Sequence, residues 1–132
     1  MQFAPDISFL AVMAALTMAM CQNTASATQD PVRYYGVRTR LLDNDLVQFH
    51  VTLSGTKSAE QVARYAECAA AQYTLIRGFG FARHVRTRIG QQADRLSADA
   101  VYTISRSLPQ GTKTIDAEVV ADACARDNIP MV

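Results

Sequence analysis

Between Leu46 and Ser54 the chain alternates strictly. Val47, Phe49, Val51 and Leu53 fall on one side, and Gln48, His50 and Thr52 on the other. Strand side chains point to opposite faces with a period of two, so this stretch belongs in a sheet with one buried and one wet face. That requirement restricts the fold to a sheet covered on one side. Tyr34 to Leu42 repeats the pattern, with Val37, Thr39 and Leu41 alternating against Gly36, Arg38 and Arg40. Asp43-Asn44-Asp45 supplies turn chemistry between the two runs, which therefore read as an antiparallel hairpin.

After Gly55 a helical period takes over. Ser58 with Gln61 three residues later has the form of a capping box. The helix runs from Ala59 to Arg77, with Val62, Tyr65, Ala66, Ala69, Tyr73 and Ile76 on one stripe. Ala69-Ala70-Ala71 favours helix and permits close approach to a sheet, and Gly78 and Gly80 end the helix. Phe81 to Ile89 reads as a third strand. Phe81, Val85 and Ile89 are expected inward, with Arg83 and Thr87 as exceptions on that side, and His84, Arg86 and Arg88 outward. Gly90 to Ala98 reads as a polar loop. Asp99 to Ser105 reads as a fourth strand, with Val101, Thr103 and Ser105 alternating against Ala100, Tyr102 and Ile104. Leu108-Pro109-Gln110-Gly111 has the form of a β-turn. Near the end, Asp116 to Arg126 fits a helix and Thr114 to Val120 fits a strand. The stop at Asp127-Asn128 and Ile129-Pro130 favours the helix. The expected fold is α+β: a four-stranded antiparallel sheet with a long helix and a C-terminal helix on one face, in the order β-β-α-β-β-α.

Ile7 to Met20 is an almost unbroken apolar run. It is shorter than the roughly 20 residues a membrane span takes and suits the hydrophobic region of a signal peptide. Ala25-Ser26-Ala27 has the small-x-small form of a cleavage site, which would leave Thr28 as the new N-terminus. Cys21 offers a second route, because Met18-Ala19-Met20-Cys21 resembles a bacterial lipobox, with Met20 where Gly, Ala or Ser is usual. The segment departs from a standard leader in carrying Asp6 and no Lys or Arg before Arg33. The competing reading is a buried N-terminal helix or an uncleaved anchor. The expected organisation is a signal peptide over 1–27, a linker over 28–32 and one domain over 33–132. The protein would be exported to the periplasm or anchored in the envelope, meeting the membrane only through its signal or a lipid on Cys21.

Of 13 basic and 12 acidic residues, the leader contains only Asp6, so the mature chain has 13 against 11 and a formal charge of +2. That is too near neutral to argue for nucleic acid. Cys68 and Cys124 remain, and in an oxidising compartment they form one disulfide, which would stabilise the fold by roughly 4 kcal/mol. The alternative is two separate buried thiols. Cys68 lies among alanines with no adjacent His or Lys to lower its pKa, which argues against a nucleophile.

The sharpest functional candidate is a basic face. Arg38 and Arg40 on the first strand, His50 on the second, and His84, Arg86 and Arg88 on the third would share one open surface if those strands are neighbours. Guanidinium forks match carboxylates and phosphates. The surface then suits an envelope protein, an anionic lipid headgroup or a cell-wall polymer. The plainer account is a solvated sheet face covered by long Arg stems. No Cys, Asp or Glu completes a metal site with His50 and His84 at a recognisable spacing, and no cofactor motif is present. Gly78-Phe79-Gly80-Phe81 follows a helix and precedes a strand, the reverse of a dinucleotide-binding order. No serine lies in a G-x-S-x-G context. The alternatives to partner binding are a small periplasmic enzyme with a site between sheet and helix, using His84 or Cys68, and a purely structural accessory domain.

Arg33-Tyr34-Tyr35-Gly36, Tyr65-Ala66-Glu67-Cys68-Ala69-Ala70-Ala71 and Gly78-Phe79-Gly80-Phe81 together resemble a group of small uncharacterised exported proteins and lipoproteins of alphaproteobacteria. The resemblance covers residues 33 to 132. It implies an exported location and a compact α+β domain, and it carries no activity or catalytic residue.

Overall fold

The computed structural model describes residues 31–131. The expected signal peptide, Cys21 and the first part of the expected linker lie outside the described residues. The elements are β1 (Arg33–Leu41), β2 (Leu46–Ser54), α1 (Ala59–Ile76), β3 (Phe81–Gln92), β4 (Arg95–Ser105), β5 (Thr114–Asp116) and α2 (Ala117–Arg126). The strands form one antiparallel sheet in the order β1-β2-β4-β3-β5. The fold class is the expected α+β, with five strands in place of four.

The alternation in β2 does what its pattern requires. Val47, Phe49, Val51 and Leu53 are fully buried, and each contributes roughly 1.5–3 kcal/mol by leaving water. Leu96, Ala98, Ala100, Tyr102 and Ile104 of β4 join them, and α1 closes the core with Val62, Tyr65, Ala66, Ala69 and Ala70. Alanines on both sides let the helix lie close to the middle strands.

The helix ends follow from local chemistry. Ser58 accepts a bond from the Gln61 amide at 3.2 Å. Gly78, at φ +77°, closes α1: its amide donates to the Leu75 carbonyl and that of Phe79 to Thr74, both at 2.9 Å. Asp116 caps α2 by accepting from the Glu118 and Val119 amides. Both readings of the C-terminal segment were partly right, since Thr114–Asp116 pairs with β3 and the helix begins at the next residue. α2 packs on α1, where the buried Cys68 and Cys124 form a disulfide with Cα atoms 5.9 Å apart.

Two expectations need correction. Gly90 to Ala98 is no loop: β3 and β4 continue to Gln92 and Arg95 around a two-residue turn, Ala93-Asp94. Polar side chains hid this hairpin because its far end, Gly90 to Arg95, is exposed and buries nothing. The second correction is a β-bulge. His84 faces Tyr102 and Arg86 faces Val101, so Val85 is an extra residue. The side-chain phase of β3 therefore reverses there. Ala82, His84, Thr87 and Ile89 point to the helix side, and Phe81, Arg83, Arg86 and Arg88 away from it, as their partners on β4 show. The expected inward positions of Phe81, Val85, Arg83 and the outward position of His84 are overturned, while Thr87 and Ile89 do face the helix side.

β1 has a second bulge, where Tyr35 and Gly36 together oppose one residue of β2, and Gly36 adopts φ +103°. Its amide donates to the Tyr65 hydroxyl of α1 at 3.1 Å. Replacing Tyr65→Phe leaves that amide without its acceptor, and urea denaturation should show a loss of about 1 kcal/mol. Removing the disulfide by Cys68→Ala with Cys124→Ala should cost about 4 kcal/mol, because 56 residues of chain separation lose their closure in the unfolded state.

Candidate functional site

The face away from the helices can be written as rows. One row across β1, β2, β4 and β3 is Arg40, Gln48, Val101, Arg86, and the next is Arg38, His50, Asp99, Arg88. On one side of these lies Leu46, Thr103, Arg83, and on the other Thr52, Ser97, Gly90. The register thus brings Arg38, Arg40, His50, Arg86 and Arg88 to one surface as expected, with His84 excluded by the Val85 bulge.

The surface is not uniformly basic, because β2 and β3 are not neighbours. β4 lies between them and places Asp99 at the centre. Its two carboxylate oxygens accept bonds from Gln48 Nε2 at 2.7 and 2.8 Å. The cations therefore form two rims, Arg38 and Arg40 on β1 and Arg83, Arg86 and Arg88 on β3. Three strand spacings separate the rims, about 14 Å. Between them lie the hydrogen-bonding groups Gln48, His50, Thr52, Ser97, Asp99 and Thr103, with the half-buried Leu46 at one end. Val101 is only 3% exposed in this strip. A depression of about 300 Å³ opens among Arg38, Arg40, Gln48 and His50. None of the five rim arginines forms an ion pair with a carboxylate of the described residues, and Arg86 Nη1 is buried without a hydrogen-bond partner there.

At the far end of the strip the Tyr35 ring lies under the Arg95 guanidinium, 4.1 Å from its centroid, and the Tyr35 and Ser54 hydroxyls are 3.1 Å apart. At the other end Gly111 lies beside Arg83, where an added Cβ would come within 3.3 Å of the guanidinium. Sequence reasoning missed Arg83, Asp99 and the Tyr35–Arg95 pair. Asp99 had a signal in the chain: it is the one acidic residue of β4, between Ala98 and Ala100.

His84 belongs to a different place. It lines an open cleft of about 570 Å³ between the first turns of α1 and the sheet, with Ser58, Gln61, Arg64, Glu67, Thr87 and Tyr102. The bulge turns both His84 and Thr87 into this cleft, with His84 Nε2 and Thr87 Oγ1 2.7 Å apart. The imidazole stands edge-on to Tyr102, with centroids 5.2 Å apart. Burial lowers the His84 pKa, Lys113 lowers it further, and Glu67 opposes them. Burial raises the Tyr102 pKa, with Glu67 adding to it. The cleft keeps a neutral imidazole beside a protonated phenol and can exchange hydrogen bonds with a small polar molecule. Cys68 takes no part, because it is buried in the disulfide. Among the described residues no cluster of three or more His, Cys, Asp or Glu can hold a metal, and no helix is long and apolar enough to cross a membrane.

Comparison with known proteins finds one family model that covers most of the chain. The model of the YNQ4 C-terminal domain matches residues 34–128. The chain is also 26% identical over 107 residues to an uncharacterized 26.9 kDa protein in the nqo8 5′ region of Paracoccus denitrificans, an alphaproteobacterium. That alignment takes in 76% of the chain and 42% of the relative, so the chain spans less than half of the relative's length. No solved structure matches the chain.

The lowered pKa of His84 fixes a sign for stability. The unfolded chain binds a proton near pH 6.5 while the folded chain still resists it. This contribution is complete above pH 6.5 and is lost as pH falls below it. Melting temperatures should drop between pH 6.5 and 5.5, and His84→Gln should flatten that part of the profile.

Proposed function

We propose, for a chain that belongs to the YNQ4 C-terminal domain family, a non-enzymatic docking role in an exported setting, with an anionic envelope partner held on the bare face of the sheet. The carrying observation is the set of five rim guanidiniums that find no carboxylate among the described residues. The disulfide fits an oxidising compartment, and the apolar run before Ala25-Ser26-Ala27 supplies the route there. The role requires no cofactor and no nucleic acid.

Binding should be electrostatic and therefore weaken with salt. Replacing Arg38, Arg40, Arg86 and Arg88 together by Ser should reduce recovery of the protein with envelope fractions at least tenfold, without lowering the melting temperature by more than a few degrees. Unchanged recovery of a folded variant would remove the sheet face from the function.

A further inference from the structure

Taking that docking role as its basis, we infer that the occupant of the outer face is an acidic polysaccharide, lying along the strip between the two arginine rims. The placement of charge selects this chemistry. A simple polyanion or an anionic membrane favours the most positive surface available, whereas here the centre carries Asp99, flanked in register by His50 and Arg88. A folded protein partner is anchored by apolar and aromatic groups at the middle of its interface, whereas the middle of this strip consists of Gln48, His50, Thr52, Ser97 and Thr103 around that carboxylate, with Val101 sealed and the half-buried Leu46 at one end.

A chain of sugars bearing sparse carboxylates meets both parts of the surface. Its many hydroxyls donate to Asp99 and exchange hydrogen bonds with Gln48, His50 and the hydroxyl side chains. Asp99 can accept them because a carboxylate has about four acceptor positions and Gln48 occupies two. Its carboxylates reach the guanidinium forks at either rim, which pair with no carboxylate among the described residues. Tyr35 is 44% exposed and one side of its ring is held by Arg95, leaving an aromatic surface at the end of the strip for a sugar ring.

The sign of one substitution separates the occupants. Asp99→Asn removes a negative charge and halves the acceptor capacity at the centre of the strip. In the full chain, calorimetry with polygalacturonate as the probe should show binding that Asp99→Asn weakens about tenfold. Polyglutamate and vesicles containing anionic lipid should bind the unaltered protein more weakly than polygalacturonate, and Asp99→Asn should strengthen them. Thr52→Val, which removes a hydroxyl without altering charge, should weaken polygalacturonate alone. Tighter polygalacturonate binding by Asp99→Asn, or a preference of the unaltered protein for polyglutamate or vesicles, would overturn the polysaccharide while leaving an anion-binding face. Indifference of all three probes to the four-arginine variant would overturn the docking role itself.

Discussion

The close seating of α1 on β2 and β4 governs the rest of this domain. Ala66, Ala69 and Ala70 meet a sheet surface that includes Ala98 and Ala100, so helix and sheet approach without a thick layer of large side chains. Phe49, Tyr65 and Tyr102 fill the flanks and meet other rings edge to face. With the second helix fastened to the first through Cys68 and Cys124, the apolar surface gathers on one side of the sheet. Nothing in the packing obliges the other side to be covered. The fold demands only that this side be polar. That it is cationic at both margins and acidic at its centre is a property added to the fold.

Period-two and helical patterns made much of the architecture readable. The β1–β2 hairpin, the start and stop of α1 and the cysteine pair were legible because each depends on residues close together or on a single chemical property. The strand order was not, since nothing in one strand's pattern says which other strand lies beside it. Placing β4 between β2 and β3 turns a notional basic patch into two rims around Asp99. The Val85 bulge was also invisible. One inserted residue has no period, and Val85 itself is a good strand former whose 51% exposure appears only in the folded chain.

That bulge joins the two polar regions of the molecule. Without it, His84 and Arg86 would project from the same face. With it, the imidazole enters the cleft beside α1 while Arg86 and Arg88 complete the rim opposite β1. A backbone irregularity one residue long thus sorts neighbouring side chains into separate environments.

β1 is an edge strand, and this gives Arg38 and Arg40 a second occupation. An unpaired strand edge is a template on which another copy can add itself, and charged side chains and bulges are common ways to prevent it. β1 has both, its arginines and the irregularity at Gly36. The same guanidiniums that line one rim of the outer face therefore stand on the edge where another strand would have to pair. A polymer seated there would shield the edge as well, making occupancy itself a protection against self-assembly.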